Sequence, residues 1–261
     1  MIKLLNSSRE DKEGLIKKMY DDSFYYGELN QLALSHSTIK LLYEDPKSYW
    51  NAIRYGSAKS QAMRDGYLFH LAILEPEKFE QAHFVNVRTK RTKAFMEAKA
   101  EYGEVYTLQE KEDAERLQDA FQRNEMALQM ITDCEFEVPM IGEVLGYPFR
   151  GKADVLGKDR IVDIKTTTDL KNFSKSVDKY SYDTQVFIYC NLYGLSYDQF
   201  KFVVCDKKNL TFGLGHCSKE MYERGKLKVQ YAIEVYKEYF EGKTEDEIIN
   251  KLDNHFKEFT I

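Results

Sequence analysis

The stretch GKADVLGKDRIVDIKTT, Gly151–Thr167, sets two aspartates, Asp154 and Asp163, on either side of one turn, with Lys165 two residues beyond the second. Gly157-Lys158-Asp159-Arg160 reads as the turn between two strands. A two- or four-residue loop centred there pairs Leu156 with Ile161 and faces Asp154 towards Asp163, with Cβ atoms about 4.5–5.5 Å apart. A three-residue loop would destroy that register. Two facing carboxylates at ~4 Å repel by ~4 kcal/mol at an effective dielectric of ~20. Such a pair needs a shared proton or a cation. Strand side chains alternate, so Lys165 shares a face with Asp163 while Ile164 turns into the core. Two acids and an amine then meet in one pocket. Carboxylate oxygens of this kind suit Mg²⁺, with Mn²⁺ as the alternative. A D-x-K triplet is also common by chance and can be a surface salt bridge.

The 261 residues, 43% hydrophobic and 31% charged, fit one globular chain of mixed α/β class. No apolar run reaches the ~18 residues of a membrane span, and the N-terminus lacks a signal-peptide core, so a cytoplasmic protein with no membrane partner is expected. Cys134, Cys190, Cys205 and Cys217 form no C-x-x-C pair, which disfavours a zinc or iron–sulfur site. Neither H-E-x-x-H nor G-x-S-x-G is present to suggest another kind of hydrolase. The net charge of −5, from 38 basic and 43 acidic residues, lowers the expectation of a polyanionic partner. It does not exclude a basic channel within an acidic shell.

With only four prolines and no Gly/Ser linker, the chain reads as a single domain over 1–261. Residues 1–33 are a polar, tyrosine-rich surface segment, 34–80 a helical entry region, 81–217 the core with a mixed central sheet, and 218–261 a helical end. LSHSTIKLLYEDPKSYW gives two helices, capped by Ser35 or Ser37 and by Asp45 ahead of Pro46. AKSQAMRDGYLFHLAILEPEKF is a third, with Ala62, Phe69 and Ile73 recurring at helical spacing and Pro76 ending it. AHFVNVR reads as a strand. TLQEKEDAERLQDAFQRNEMALQMI reads as one long helix opened by a Thr107/Glu110 capping box. SYDTQVFIYCNLYG is an apolar helix ending at Gly194, followed by strands YDQFKFVVCD and LTFGLGHC and a helix from Ser218 to Phe240.

G-x-x-D, a turn, D-x-K and a helix bearing Q-x-x-x-Y, here GKAD, DIK and QVFIY, resemble the PD-(D/E)xK nuclease superfamily. LSHSTIKLLYEDPKSYW, GYLFHLAILEPEKF and YSYDTQVFIYCNLYG narrow the resemblance to the exodeoxyribonuclease VIII (RecE-type) enzymes of phages and prophages, from about Leu34 to Tyr193. The triplet alone is weak; the four blocks in this order are strong together. The resemblance implies a restriction-endonuclease-like core and a Mg²⁺-dependent exonuclease. Such an enzyme resects linear double-stranded DNA 5′ to 3′, leaving 3′ single-stranded tails for recombination. It implies a homo-oligomeric ring working with a single-strand annealing protein. Its metal ligands carry over to His70, Asp154 and Asp163, and its catalytic lysine to Lys165. A further glutamate of the family matches Glu135 or Glu137, with Glu135 preferred. The long N-terminal extension of the founding member is absent, which puts the ring in question.

By itself His70 reads as a core histidine; the GYLFHLAILEP match makes it a ligand candidate, better suited to Mn²⁺. Gln185 and Tyr189, four residues apart, share a helix face that Tyr182 joins a turn earlier. The resemblance sets Gln185 and Tyr189 beside the catalytic acids. Arg88, Lys90, Arg91 and Lys93 in VRTKRTK are the candidate DNA contacts, although such runs are usually solvated. Tyr231, Val235 and Tyr239 form a stripe for core or neighbour. The rival readings are a structure-specific or single-strand endonuclease and a non-catalytic DNA-end-binding module.

Overall fold

The turn at Gly157–Arg160 does form, with Gly157 N–H donating to the Arg160 carbonyl at 2.8 Å, and it pairs Leu156 with Ile161. In this computed structural model, which describes residues 9–256, that hairpin lies in the centre of a five-stranded sheet. Its strands are β3 (Glu135–Val144), β4 (Tyr147–Leu156), β5 (Ile161–Thr167), β6 (Phe200–Asp206) and β7 (Thr211–His216), in spatial order 3-4-5-6-7. Only β5 and β6 run parallel; the other neighbours are antiparallel. The parallel pair needs a crossover, supplied by a short helix, Phe173–Tyr180, and the apolar helix α12 (Tyr182–Tyr193). A separate two-stranded parallel sheet joins β1 (His83–Val85) to β2 (Val105–Thr107).

Both faces of the sheet are covered, and period-two alternation in β5 and β6 shows how. Phe200, Phe202 and Val204 point to a core with Val186 and Ile188 of α12 and Val229 and Ile233 of α13 (Lys219–Tyr239). Val203 and Cys205 point the other way, joining Val162 and Ile164 under Phe69 of α6 (Gln61–Leu74) and Leu117 and Phe121 of α9 (Leu108–Gln122). Asp163 therefore faces α12, while the adjacent Ile164 is packed beneath α6. Gly225 lets α12 and α13 touch through their backbones: a Cβ there would stand 2.5 Å from the Asp183 carbonyl carbon.

Local chemistry sets most boundaries. Ser35 is the residue that caps α4 (His36–Glu44), in a capping box with Thr38, and Asp45 caps α5 (Pro46–Tyr55) with Pro46 in its first turn. Thr107 and Glu110 form the expected capping box, and Gly194 closes α12 in the left-handed conformation. Three readings need correction. The long helix breaks after Gln122, because Asn124 accepts from Ala127 N–H and starts α10 (Glu125–Ile131). Ala62 is exposed, and the buried side of α6 is Leu68, Phe69, Leu71, Ala72 and Leu74. The early segment is more than a surface wrap. It forms α1 (Arg9–Lys18), α2 (Asp22–Tyr26) and α3 (Glu28–Leu32), and buries Met19, Tyr25 and Leu29 against Ile141 of β3. Residues 1–8 of that segment lie outside the described ones. The stripe on α13 is divided, with Val235 buried and Tyr231 exposed. None of the described helices is long and apolar enough to cross a membrane.

Candidate active site

The β4–β5 ladder stops one pair short of the aspartates. Val155 pairs with Val162, but at the next step Asp154 Oδ2 accepts the backbone N–H of Ile164 at 2.8 Å. A carboxylate thus replaces a backbone carbonyl, and the strands splay where the acids sit. On the other flank of β4 the register carries Phe136 opposite Val155 and Val138 opposite Ala153, with Glu137 between them and unpaired. Glu137 has φ +50°, a left-handed conformation costly for a residue with a Cβ. One line across β3, β4 and β5 therefore holds Glu137, Asp154 and Asp163.

From α6, His70 reaches down to this line. Its Nε2 lies 2.6 Å from the Ile164 carbonyl oxygen, an atom that can only accept. Nε2 thus carries a proton, and Nδ1 faces Asp154 Oδ2 at 3.5 Å. His70, Glu137 and Asp154 each offer a ligand atom within 4.8 Å of the others. Glu137, not Glu135, is the glutamate that joins them. Glu135 opens the strand, opposite Leu156, beyond the ladder break. Burial first, and then the Asp154 charge, pushes the Glu137 carboxyl up to about 8.

Asp163 stands beside this trio in different company. It is 1% exposed, accepts from Gln185 Nε2 at 2.6 Å, and pairs through Oδ2 with Lys165 Nζ at 2.5 Å. Burial drives its pKa upward, and the Lys165 charge opposes that. For Lys165, burial disfavours the ammonium, but Asp163, Tyr182 and Asp154 outweigh it and hold the group charged. Its Nζ sits 4.9 Å from the Tyr182 ring centroid. Gln185 Oε1 is buried without a hydrogen-bond partner among the described residues, so its amide is aimed by Asp163 alone.

Tyr189 is not at the acids. Its hydroxyl donates to the Lys152 carbonyl at 3.1 Å, and its ring fills the space that Gly151 leaves, where a Cβ would be 3.0 Å away. It supports β4 from below, which is a positioning contact. Tyr193, which sequence reasoning passed over, does the same: it donates to the Val138 carbonyl at 2.6 Å and accepts from Ala153 N–H at 3.0 Å. The two tyrosines brace β4 and β3 where the ladder is interrupted. Asp183 was also missed. It is fully buried and bound to Arg224 Nε at 2.6 Å and Lys228 Nζ at 2.7 Å, which ties the start of α12 to α13. Its signal was an acid two residues from Gln185, too common to read without its partners.

The basic run does not act together. Lys90 turns inward, giving hydrogen bonds to Glu110 Oε1 at 2.8 Å and Gln61 Oε1 at 2.7 Å. Glu110 also holds Arg64 Nε at 3.0 Å and closes the α9 capping box. Lys90 is therefore an internal counter-ion and not a free phosphate contact. Arg88, Arg91 and Lys93 are exposed, and Lys93 pairs with Glu97 at 3.5 Å. The four cysteines are all unpaired.

A family model described as PDDEXK-like domain of unknown function (DUF3799) matches residues 35–253. The chain belongs to this family. Its α/β architecture, a mixed five-stranded sheet between helical layers, is the PDDEXK-like fold. A crystallised protein from Eubacterium rectale, named "Putative exonuclease", superposes with a TM-score of 0.62. The match covers 92% of this chain and 95% of that one, at 17% identity, and the likeness extends to the fold. The structure of SSO0001 gives a TM-score of 0.32 at 14% identity, over 80% of this chain and 88% of its own. None of the curated proteins compared with the chain matches it significantly. In this fold Asp154 and Asp163 lie on the β4–β5 hairpin and Lys165 follows on β5, with Gln185 of α12 bonded to Asp163.

The residues fit a divalent cation. An imidazole nitrogen of His70 and carboxyl oxygens of Glu137 and Asp154 converge within 4.8 Å, and the Asp154 charge helps to raise the Glu137 carboxyl, a repulsion that a bound cation would relieve. Oxygen donors with one imidazole suit Mg²⁺ or Mn²⁺.

Proposed function

We propose that this protein is a divalent-metal-dependent deoxyribonuclease acting as an exonuclease on linear double-stranded DNA. The observation that carries the reading is the junction of two arrangements at one ladder break. A cation-ready trio, His70, Glu137 and Asp154, stands next to the Asp163–Lys165 pair. A structural salt bridge would explain the pair, but not the crowding of acids about it or the left-handed Glu137.

His70, Glu137 and Asp154, with Asp163 at their side, would hold Mg²⁺ or Mn²⁺. When bound, such an ion supplies positive charge against the phosphate and acidifies a water. In the reaction a water oxygen bonds to phosphorus as the water gives a proton to solvent, and the bond from phosphorus to the leaving sugar oxygen breaks as that oxygen takes a proton from solvent. The partners of Lys165 favour its charged form. Lys165 donates hydrogen bonds to phosphoryl oxygens as negative charge builds there. Asp163 fixes that ammonium, Gln185 fixes Asp163, and the Tyr182 ring limits where Lys165 can swing.

The finer reading rests on the resemblance of the four sequence blocks. We propose 5′ to 3′ digestion giving 3′ tails for recombination, a homo-oligomeric ring, and cooperation with a single-strand annealing protein. The exposed Arg88, Arg91 and Lys93 are the proposed phosphate contacts. The deciding assay uses linear duplexes labelled at either end, and covalently closed circles, with Mg²⁺, with Mn²⁺ and with chelator. Linear DNA is expected to shorten from its ends only with metal, and circles to survive. Circles cut as fast as linear DNA would defeat the exonuclease reading.

A further inference from the structure

We infer that Tyr26 and Tyr67 form an aromatic rim on which an unpaired nucleotide base stacks as its phosphodiester enters the acid cluster. The inference rests on the nuclease reading of that cluster and adds the kind of DNA end it takes.

Two separate elements bring the rings there. Lys152 lies two residues before Asp154 on β4, on the same face of the strand. Its side chain is 8% exposed and its Nζ donates to Asp22 Oδ1 at 2.7 Å, while Lys78 Nζ binds the other oxygen of Asp22 at 3.1 Å. Asp22 opens α2, so these two ion pairs moor α2 beside the catalytic strand. Tyr26 follows Asp22 by four residues, on the same helical side. Its ring meets Tyr25 edge-on at 4.9 Å and has Lys152 Nζ 5.9 Å from its centroid. On α6, Tyr67 precedes His70 by three residues and therefore lies on the same side of that helix. Lys59 Nζ sits 4.7 Å from its ring centroid.

Neither ring is used to fill a core. Tyr26 is 64% exposed and Tyr67 37% exposed. Yet the hydroxyl of Tyr26 is pushed up, first by desolvation and then by Tyr25, Glu137, Asp22 and Tyr67. Tyr26 stands beside Lys152, two residues from Asp154 on β4, and Tyr67 stands one turn before His70 on α6, so both rings flank the candidate site. Tyr67 is pushed up in the same way, first by desolvation and then by Asp22.

An aromatic rim answers a problem of charge. The acids repel the phosphate backbone until a cation is present. Stacking brings in a base through its uncharged face, whatever the sequence, and contributes about 1–3 kcal/mol per base, or roughly 5- to 150-fold in affinity. Only an unpaired base exposes its face, so the rim favours frayed or overhanging ends.

The test uses the full chain carrying Asp154→Asn, to prevent cutting, and a duplex whose overhanging terminal nucleotide is 2-aminopurine. Stacking on a tyrosine quenches that fluorophore. Quenching is expected on binding, with loss of the quench and about tenfold weaker binding in Tyr26→Ala with Tyr67→Ala. Phenylalanine at both positions should restore both signals. An alanine pair that quenches and binds as before would overturn the proposal, as would a phenylalanine pair that behaves like alanine. Cutting by the unaltered protein separates the two failures. Metal-dependent DNA cleavage with no change in the alanine pair removes the rim alone. No cleavage of any DNA in Mg²⁺ or Mn²⁺ removes the nuclease reading and the rim with it.

Discussion

Gly225→Ala is the change whose effect the packing of α12 against α13 predicts most directly. A Cβ at this position would stand 2.5 Å from the Asp183 carbonyl carbon and 3.1 Å from the Thr184 nitrogen, with the carbonyl oxygen nearer still. Ordinary carbon contacts lie near ~3.5 Å, so the helices must part by about 1 Å. The obstacles are backbone atoms, which cannot swing aside as a side chain would. Overpacking costs about 1–3 kcal/mol, and the rigidity of the neighbour puts this case at the upper end. Parting the helices also loosens Arg224 and Lys228 from the buried Asp183. Against this, alanine gains about 1 kcal/mol of helix propensity over glycine. The net expectation is a loss of about 2–3 kcal/mol, or a fall in Tm of about 5–10 °C for a chain of this size. Gly14→Ala is the matched control, since Gly14 is exposed inside α1 and a Cβ there meets nothing within 4 Å. It should stabilise by up to ~1 kcal/mol. Calorimetric melts of both variants decide the matter. A Gly225→Ala protein as stable as the Gly14→Ala protein would refute the close-contact argument. Because α12 also carries Gln185, the destabilised variant should lose nuclease activity below its melting temperature.

Four further expectations follow from the site and its surroundings. Glu137→Gln should weaken Mg²⁺ or Mn²⁺ binding at least tenfold by calorimetry, whereas Glu135→Gln should change it little, and the reverse order would return the ligand role to Glu135. Lys165→Ala should lower the single-turnover cleavage rate by ~10²-fold or more while leaving metal affinity nearly intact; an equal loss of both would contradict its assignment to the phosphoryl oxygens. Burial, followed by the Lys165 charge, holds the His36 imidazole down at about 3, against ~6.5 in an unfolded chain. The folded state thus refuses a proton that the unfolded state accepts, so this contribution to stability is whole above about pH 6.5 and is lost as pH falls towards 3. His36→Gln should flatten urea-melt stability across that window by a few kcal/mol, and an unchanged pH profile would count against a buried neutral imidazole. Finally, reversing the charges of Arg91 and Lys93 should flatten the salt dependence of DNA binding, while Lys90→Ala should lower Tm by removing one of the partners of Glu110, which keeps Arg64, and leave the salt slope as it was.

Local instructions were legible wherever one residue and its near neighbours decide the outcome. Ser35, Asp45 with Pro46, Thr107 with Glu110, and Gly194 marked helix ends because a cap needs only a side-chain acceptor or a left-handed residue within a few positions. The turn at Gly157–Arg160 set the pairing of Leu156 with Ile161, and period two then put Asp163 and Lys165 together and Ile164 in the core. The break after Gln122 was also local, but Asn124 was hidden inside a continuous amphipathic pattern. What the sequence could not decide depended on partners far along the chain. Glu135 and Glu137 are equivalent by spacing, and only the β3–β4 register, which puts Glu137 beside Asp154 and Glu135 opposite Leu156, selects Glu137. Lys90 looked like part of a basic surface until Glu110 and Gln61 drew it inward. The resemblance set Tyr189 beside the acids with Gln185, whose helix face it shares, but four residues along α12 is a whole turn, and its hydroxyl bonds the backbone of Lys152 while Gln185 bonds Asp163. Spacing along one element is set by covalent geometry and can be read from the chain. Which atom meets a buried charge is set by burial and Coulomb attraction between elements, and these exist only once the sheet and helices have packed.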